Sequence, residues 1–477
     1  MPAYAGSPPV QKGGVPMTRN MTAGSPIRLI ILFAFPLMIG NLCQQFYSIA
    51  DTLIVGRTLG INALAAVGST SSLSFLIIGF AQGVAAGLSI ITAQRFGAND
   101  AEGVRKSVTV SLAVSGTITA IFTTFSVLFT RQILQLMRTP PDILNDAYRF
   151  LVIIFAGFGA AMLFNLLSSL ILALGDSRTP LVFLMIASGL NVGLELFFIL
   201  VLHMGVAGAG LATVLAQMSS CAGCLVYIVK RFPLLRPNAA SWKLSRGDLS
   251  AHLRVGLPMG FQNSIIAVGT IIIQFVLNGL GTTAVAAYSA AQKVDIVCTQ
   301  PMISLGIAMA TYAAQNYGAG KMERIRAGLR QCCLLSISVS VTIGLAAIFF
   351  GRYAVALFVG NAPAVIRLAQ VYFNLNCSFY FLLATLFAVR FTLQGLGKSF
   401  VPTAAGIMEL GMRAVAAGLL AGLFGFAGAS FSNPLAWIGS LAILIPSYAL
   451  AARQWTKQAA QPSLDVCPKA APSQTDR

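Results

Sequence analysis

Long apolar runs separated by short polar segments dominate the pattern of the chain. A membrane-crossing helix needs about 20 mostly apolar residues, and twelve stretches of the sequence meet that requirement. Several are longer, so we expect tilted helices or helices that protrude from the bilayer. The pattern therefore predicts twelve transmembrane helices, called spans 1–12 here, at residues 27–56, 62–95, 107–130, 143–173, 179–202, 206–229, 255–277, 284–315, 327–350, 365–392, 401–420 and 425–451.

Both ends of the chain are polar. Residues 1–26 are rich in Pro, Gly, Ser and Thr, and residues 453–477 are polar as well. Segments of this composition bury too little apolar surface to offset the entropy lost on ordering. We expect both to be disordered tails.

Composition excludes most water-soluble classes. Of the 477 residues, 57% are hydrophobic and 9% are charged, against roughly 45–50% and 25% in soluble domains. Too few polar side chains remain to cover a water-facing globule, which excludes a soluble enzyme, a secreted disulfide scaffold and a disordered chain. The eight cysteines form no disulfide framework, and we interpret them as small packing residues.

The basic residues are divided unevenly between the two sides of the membrane. With the amino terminus placed inside, 22 of the 31 Lys and Arg residues lie in inner segments or at the inner ends of spans, 6 in outer segments or at outer ends, and 3 deeper within spans. Cytoplasmic loops carry such an excess, so we predict that both termini are cytoplasmic. We predict that the protein lies in the inner (plasma) membrane. The net charge of +18 is then a signal of topology, and no nucleic-acid partner is expected.

The two halves of the sequence repeat each other. Five blocks recur in the same order at offsets of 220–222 residues, such as residues 93–98 (AQRFGA) and 314–319 (AQNYGA). Six helices per repeat place both halves in the membrane the same way round. We predict an all-α integral membrane protein with twelve transmembrane helices in two six-helix repeats, related by a pseudo-twofold axis along the membrane normal. Its predicted parts are an N-lobe (27–229), a cytoplasmic linker (230–254) and a C-lobe (255–452).

Carboxylates are rare within the spans. Of the thirteen acidic residues, four lie there away from the first turn of a span: Asp51, Glu195, Asp295 and Glu409. A charge at the bilayer centre costs about 2.5–3.5 kcal/mol on insertion scales, so each needs a partner or a function. Glu409 is spaced i, i+4 from Arg413, which allows an internal ion pair or a substrate contact. The sequence leaves open what Asp295 and its neighbour Lys293 face.

Two of these acids reach a common depth. Asp51 in span 1, Glu195 in span 5 and Thr213 in span 6 lie roughly 8–11 Å from the outer ends of their helices, at 1.5 Å rise per residue. Asn191 shares a helix face with Glu195. Carboxylate, amide and hydroxyl oxygens could bind a sodium ion, and two facing carboxylates could equally hold a proton.

Several motifs resemble those of the multidrug and toxic compound extrusion (MATE) family. They are Pro36 with residues 48–56 (SIADTLIVG), and residues 63–68 (ALAAVG), 174–180 (LGDSRTP) and 205–213 (GVAGAGLAT). The resemblance covers residues 27–452. It implies an exporter of cationic or amphipathic compounds that is driven by inward flow of Na+ or H+.

The resemblance also suggests roles for individual residues. Those that match the family's cation site are Asp51, Asn191, Glu195 (where Asp is commoner) and Thr213. Those that match its substrate cavity are Gln44, Tyr47 and, more loosely, Asn165. Spans 7 and 10 lack the carboxylates that some branches of the family have there. We therefore expect one ion site, confined to the N-lobe, and no cofactor other than the coupling ion.

Span 1 contains Pro36 near its middle, and Pro258 holds the equivalent place in span 7. A proline inside a helix frees a carbonyl and permits a kink. We hypothesise that span 1 bends at Pro36 and that the ion state of Asp51 controls this bend.

Two rival functions fit the residues less well. A flippase for lipid-linked precursors would need several arginines around an anionic head group, whereas away from their ends the spans contain only Arg390, Arg413 and Lys293 as basic residues. A membrane enzyme would need a catalytic cluster, yet the chain has two histidines and no P-loop pattern. We expect a non-enzymatic, monomeric transporter whose partners are small organic molecules and the lipid bilayer.

Overall fold

The protein is described by a computed structural model over residues 20–137, 139–360 and 362–460. In this part of the chain the regular elements are helices, without strands. The helices of the first half are α1 (Pro26–Leu59), α2 (Ile61–Gly97), α3 (Ala101–Leu136), α4 (Pro141–Ala156 and Phe158–Ala173), α5 (Arg178–Leu196) and α6 (Val206–Arg231). Those of the second half are α7 (Arg246–Gly279), α8 (Thr282–Gly318), α9 (Met322–Val359), α10 (Pro363–Cys377 and Tyr380–Gly395), and α11 (400–424) and α12 (426–460), which share the stretch Phe400–Ala460.

The number of membrane-spanning helices follows from their length and apolarity. Among the described residues, nine helices are long and apolar enough to cross a membrane, and the bent pairs of α4 and α10 raise the number to eleven. Gly425, with φ of 56°, divides the last of the nine into two. The predicted all-α membrane protein with twelve helices in two repeats is confirmed.

The repeat extends to the irregular parts of the backbone. α4 bends by 45° at Gly157 and α10 by 51° after Cys377, at equivalent points of the two repeats. The turns before α6 and α12 also match, because Gly205 has φ of 60° and Gly425 has φ of 56°. Glycine adopts a positive φ without the steric penalty of a side chain, so each turn can be tight.

α1 belongs to both lobes. Near its amino-terminal end, Ile30 and Phe33 are buried in the same hydrophobic core as α8, α9 and α10 of the second half. Farther along, α1 packs against α5 and α6 of the first half. Pro36 is buried just beyond the part that joins the C-lobe core, and the helix stays continuous through it.

The ends of the described chain differ from the predicted tails. Met21 is fully buried, its N–H donates to Gln315 Oε1 (2.9 Å) and its carbonyl accepts from Asn316 Nδ2 (3.1 Å). The expectation of disorder through residue 26 is therefore wrong for residues 20–26, because side chains of the second repeat satisfy their backbone groups. Residues 453–460 continue α12, and Trp455 packs into the C-lobe core. The predicted tails at 1–19 and 461–477 lie outside the described residues.

An even number of helices separates the two ends, so both lie on one side of the bundle. We call this side the terminal face. It contains residues 20–25, the segment between α6 and α7, and the connections that follow α2, α4, α8 and α10. The connections that follow α1, α3, α5, α7, α9 and α11 form the opposite face.

Candidate cation-binding site

Three helices of the first lobe bring the predicted cation-site residues together. Asp51 lies eight residues before the end of α1, Thr213 lies in the second turn of α6, and Glu195 lies just before a π-helical turn, Phe197–Val201, that extends α5. At 1.5 Å rise per residue, all three lie about 9–12 Å from the ends of their helical segments at the opposite face. The common depth expected from the sequence matches this arrangement.

A hydrogen bond joins α5 to α6 at this depth, and polar side chains of α1 lie beside it. Asn191 Nδ2 donates to Thr213 Oγ1 (3.2 Å), and Thr213 Oγ1 in turn donates to the Ala209 carbonyl (3.1 Å). The Tyr47 hydroxyl on α1 lies near Thr213, and the Asp51 carboxyl lies near the carboxyl of Glu195. The site is therefore a compact group of oxygen-bearing side chains between α1, α5 and α6.

The oxygens of this group have too few donors. Glu195 is fully buried and Asn191 nearly so. Within the described part of the chain, no N–H or O–H group donates to Glu195 Oε1, Glu195 Oε2 or Asn191 Oδ1. A carboxylate accepts hydrogen bonds and donates one only when protonated. Such orphaned acceptors are costly when buried, and a hard cation or a proton shared between the carboxyls would satisfy them.

A small hydrophobic cluster covers the site toward the opposite face. Val55 lies one turn beyond Asp51 and Ile199 one turn beyond Glu195, and both pack with Val206 and Ala209 at the start of α6. Because these buried side chains separate the acids from the loops of that face, they restrict the access of water from that side.

The three residues predicted to line a substrate cavity differ in exposure and in contacts with this site. Tyr47 is half-buried and contacts Thr213, whereas Gln44 is exposed. Asn165 is half-buried and its Nδ2 donates to Ala161 O in its own helix (2.8 Å). Tyr47 is thus part of the site, and a role in substrate binding stays a prediction for all three.

Both acids within the spans of the second lobe have partners from other helices. Glu409 accepts from Arg390 Nη2 (2.7 Å) and from Arg413 Nη2 (3.0 Å), so the internal ion pair foreseen on α11 has a third member on α10. Asp295 accepts from the Tyr380 hydroxyl (2.5 Å) and also contacts Tyr372. The arginine on α10 and the two tyrosines come from other helices than the acids, so spacing along one helix could not reveal them.

Lys293, two residues from Asp295 on α8, has a different environment. Its side chain is exposed, and its ammonium group lies 5.4 Å from the centre of the Phe358 ring. The two charges therefore do not pair with each other.

The family model and the similar proteins point to the same family. The family model described as MatE matches residues 36–197 and 258–419, one segment in each repeat. The chain is similar to a probable multidrug resistance protein, YpnP, of Bacillus subtilis (29% identical over 382 residues, covering 80% of this chain and 84% of the relative). It is also similar to a FAD transporter of Shewanella oneidensis (23% identical, covering 74% of this chain and 79% of the relative).

Solved structures share the fold. One is an outward-facing conformation of a multidrug resistance MATE family transporter, with a TM-score of 0.85 at 20% identity, over 94% of this chain and 100% of the other. Another is a MATE protein in the bent conformation, with a TM-score of 0.86 at 22% identity, over 92% of this chain and 98% of the other.

Proposed function

The chain belongs to the MatE family, and on this premise we propose that it is a secondary active antiporter that exports cationic or amphipathic small molecules in exchange for Na+ or H+. The curated relatives named as multidrug resistance proteins support efflux of small molecules. We propose the inner (plasma) membrane as its location and a monomer as its working form. We propose the terminal face as the cytoplasmic one, because the sequence assigns 22 of the 31 basic residues to the inner segments or inner span ends.

One observation carries the proposal for ion coupling. Glu195 and Asn191 hold three buried acceptor oxygens without a donor in the described residues, and the carboxyl of Asp51 faces them. The oxygens of Asp51, Asn191, Glu195 and Thr213 would hold the ion. A sodium ion would coordinate these hard oxygens, and a proton would instead bridge the two carboxyls.

Coupling requires that the ion alter the balance between the two access states. A bound ion can shift this balance only through different affinities for the two states. α1 provides a route, because it contributes Asp51 to the site and packs near its start against the other lobe. Bending at Pro36, between these parts, would change the distance between Asp51 and Glu195 as the lobes move.

The rival flippase function lacks support from the arginines. Arg390 and Arg413 are buried and bonded to Glu409, so they are not available to a large anionic head group. The relative named as a FAD transporter nevertheless makes FAD a useful second test compound, because it is anionic and water-soluble.

The decisive experiment is efflux from proteoliposomes under separately imposed sodium and proton gradients. Ethidium is the cationic probe and FAD the anionic one. The wild type should move ethidium under one of the gradients, and Asp51→Asn and Glu195→Gln should reduce this to the rate of empty liposomes. Asp295→Asn removes a half-buried acid of the other lobe and should retain coupled efflux.

Two results would overturn the proposal. The first is efflux that is independent of both gradients in the wild type. The second is ion-coupled efflux that survives both substitutions in the first lobe. Movement of a lipid in place of ethidium would favour the flippase.

A further inference from the structure

Two glutamines reach across the boundary between the lobes at the terminal face. Gln94 on α2 donates through Nε2 to the Gly395 carbonyl of α10 (2.9 Å), and Gln315 on α8 donates to the Ala173 carbonyl of α4 (2.8 Å). The donors lie 221 residues apart and the acceptors 222 apart, so the repeat generates both bonds. Each lobe thus donates one hydrogen bond to the other.

The acceptors explain why these bonds matter. Ala173 and Gly395 are the last residues of the second halves of α4 and α10. The last carbonyls of a helix have no intrahelical donor, and they carry the negative end of the helix dipole. A side-chain amide of the opposite lobe supplies the missing donor, which would be lost if the lobes separated at this face.

The backbones beside these bonds are in direct contact. A Cβ atom on Gly97 would lie 1.9 Å from the Gln315 carbonyl oxygen, and one on Gly318 would lie 1.8 Å from the Gln94 carbonyl oxygen. These glycines are also 221 residues apart. Because not even a methyl group fits, α2 and α8 close the terminal face at this point.

The amino-terminal segment reinforces one of the two bonds. Gln315 Oε1 accepts the Met21 N–H (2.9 Å), while Lys321 Nζ and Arg324 Nη2 donate to the carbonyls of Thr22 (2.9 Å) and Gly24 (2.9 Å). The position equivalent to Met21 in the second repeat is Trp242, which is 56% exposed. Both the amide nitrogen and the amide oxygen of Gln315 are therefore hydrogen-bonded. We expect Gln315 to stabilise the contact between the lobes more than Gln94 does.

We propose that Gln94 and Gln315, with the carbonyls of Gly395 and Ala173, form a reciprocal latch that keeps the terminal face closed and must open before the space between the lobes becomes accessible from that face. The assignment of this opening to a transport cycle rests on the proposed function, but the latch itself is tested without substrate or ion.

The test measures how readily the lobes separate. Ala314 is fully buried between the lobes, in one core with residues of the first lobe. We therefore use Ala314→Cys, in a background without native cysteines, and measure its rate of reaction with a polar maleimide, which rises when the lobes separate. Gln94→Leu and Gln315→Leu should each accelerate labelling severalfold, Gln315→Leu more, and the double variant on the order of 100-fold, since buried carbonyls are left without donors. Gly97→Ala should also accelerate it, and Gly116→Ala, where a Cβ meets nothing within 4 Å, should not.

Two controls separate opening from general loosening. Gln394→Leu also removes a buried glutamine bond, from Gln394 Nε2 to Gln262 Oε1 (2.9 Å), but within the second lobe, so the labelling rate of Ala314→Cys should stay at its wild-type value. Cys332 is buried inside the C-lobe core, and a variant that retains it as its only cysteine should label slowly with or without the latch.

The proposal is overturned if the double variant labels Ala314→Cys at the wild-type rate, if Gln394→Leu has the same effect, or if Cys332 becomes reactive in parallel. Failure of the proposed function would give a different result. The wild type would show no ion-coupled ethidium efflux, while the latch substitutions would still accelerate labelling.

Discussion

The two lobes repeat one six-helix fold but treat buried charge in opposite ways. In the first lobe, the carboxyls of Asp51 and Glu195 face each other, and neither takes part in an ion pair among the described residues. In the second lobe, Glu409 is bound by two arginines. The comparison teaches that a shared fold provides the position of an ion site, while its chemistry depends on a few side chains.

The repeat itself shows how the second site differs. The two family-model segments are offset by 222 residues, which pairs Asp51 with Ile273, Asn191 with Arg413 and Glu195 with Ala417. Arg413 lies against Gly269 on α7, one turn from Ile273. The second lobe therefore has the guanidinium of Arg413 where the first lobe has acceptor oxygens without donors. Its carboxylate is neutralised by side chains of the chain itself and needs no bound cation.

The largest expected effect is on the stability of the second lobe. Glu409→Gln leaves Arg390 and Arg413 buried without their carboxylate, and removal of one partner of a buried ion pair costs about 3–5 kcal/mol. Thermal unfolding in detergent should show a large loss of stability. Glu323→Gln, at the exposed ion pair with Arg326, should change it little, and an equal effect of the two substitutions would refute the comparison.

The acid of the first lobe should behave in the opposite way. Glu195→Gln introduces an amide donor for Asp51, so the free energy of unfolding should stay the same or rise by about 1–2 kcal/mol. The coupling ion should stabilise the wild type, since it binds only the folded state, and should not stabilise the variant. Unfolding curves with and without sodium, at two pH values, measure both effects; strong destabilisation by Glu195→Gln would mean that Glu195 has a structural role.

The sequence predicted the buried polar groups of the first lobe better than those of the second. Depth along the helix located Asp51, Glu195 and Thr213 together, because the rise per residue converts sequence position into height. Arg390 was missed as a partner of Glu409, because its helix approaches only in the folded bundle. The latch glutamines stood inside a repeated block, but the sequence did not show that each one contacts the other lobe.

Composition misled at the amino terminus for a related reason. Apart from Met21, residues 20–25 are small or polar, which is typical of a tail. Their backbone groups are nevertheless bound by Gln315, Asn316, Lys321 and Arg324, about 300 residues away in sequence. A local pattern cannot report donors that arrive from the other repeat.

The prolines offer a smaller test of how the lobes differ. Pro36 lies where α1 passes from one lobe to the other, and Pro258 lies at the equivalent place in α7, beside Met259 of the first-lobe core. The difference is that the Pro258 carbonyl accepts from Thr403 Oγ1 (2.9 Å) of its own lobe. Pro36→Ala restores a helix hydrogen bond and should slow ethidium efflux roughly tenfold by opposing the bend, without changing stabilisation by the ion. Pro258→Ala should slow efflux less, and equal rates for wild type and both variants would remove the hinge from the mechanism.

The smallest effect is expected at the hydroxyl that joins α5 to α6. Thr213→Ala deprives the Asn191 amide of its acceptor, at a cost of about 1 kcal/mol, which corresponds to roughly a fivefold weaker half-saturation by the coupling ion. Thr213→Ser keeps the hydroxyl and should restore most of the affinity. Half-saturation is measured from the ion dependence of ethidium efflux. If the serine variant were as weak as the alanine variant, the methyl group and its packing would matter more than the oxygen, and the count of ligands in the first lobe would fall to the two carboxylates and the Asn191 carbonyl.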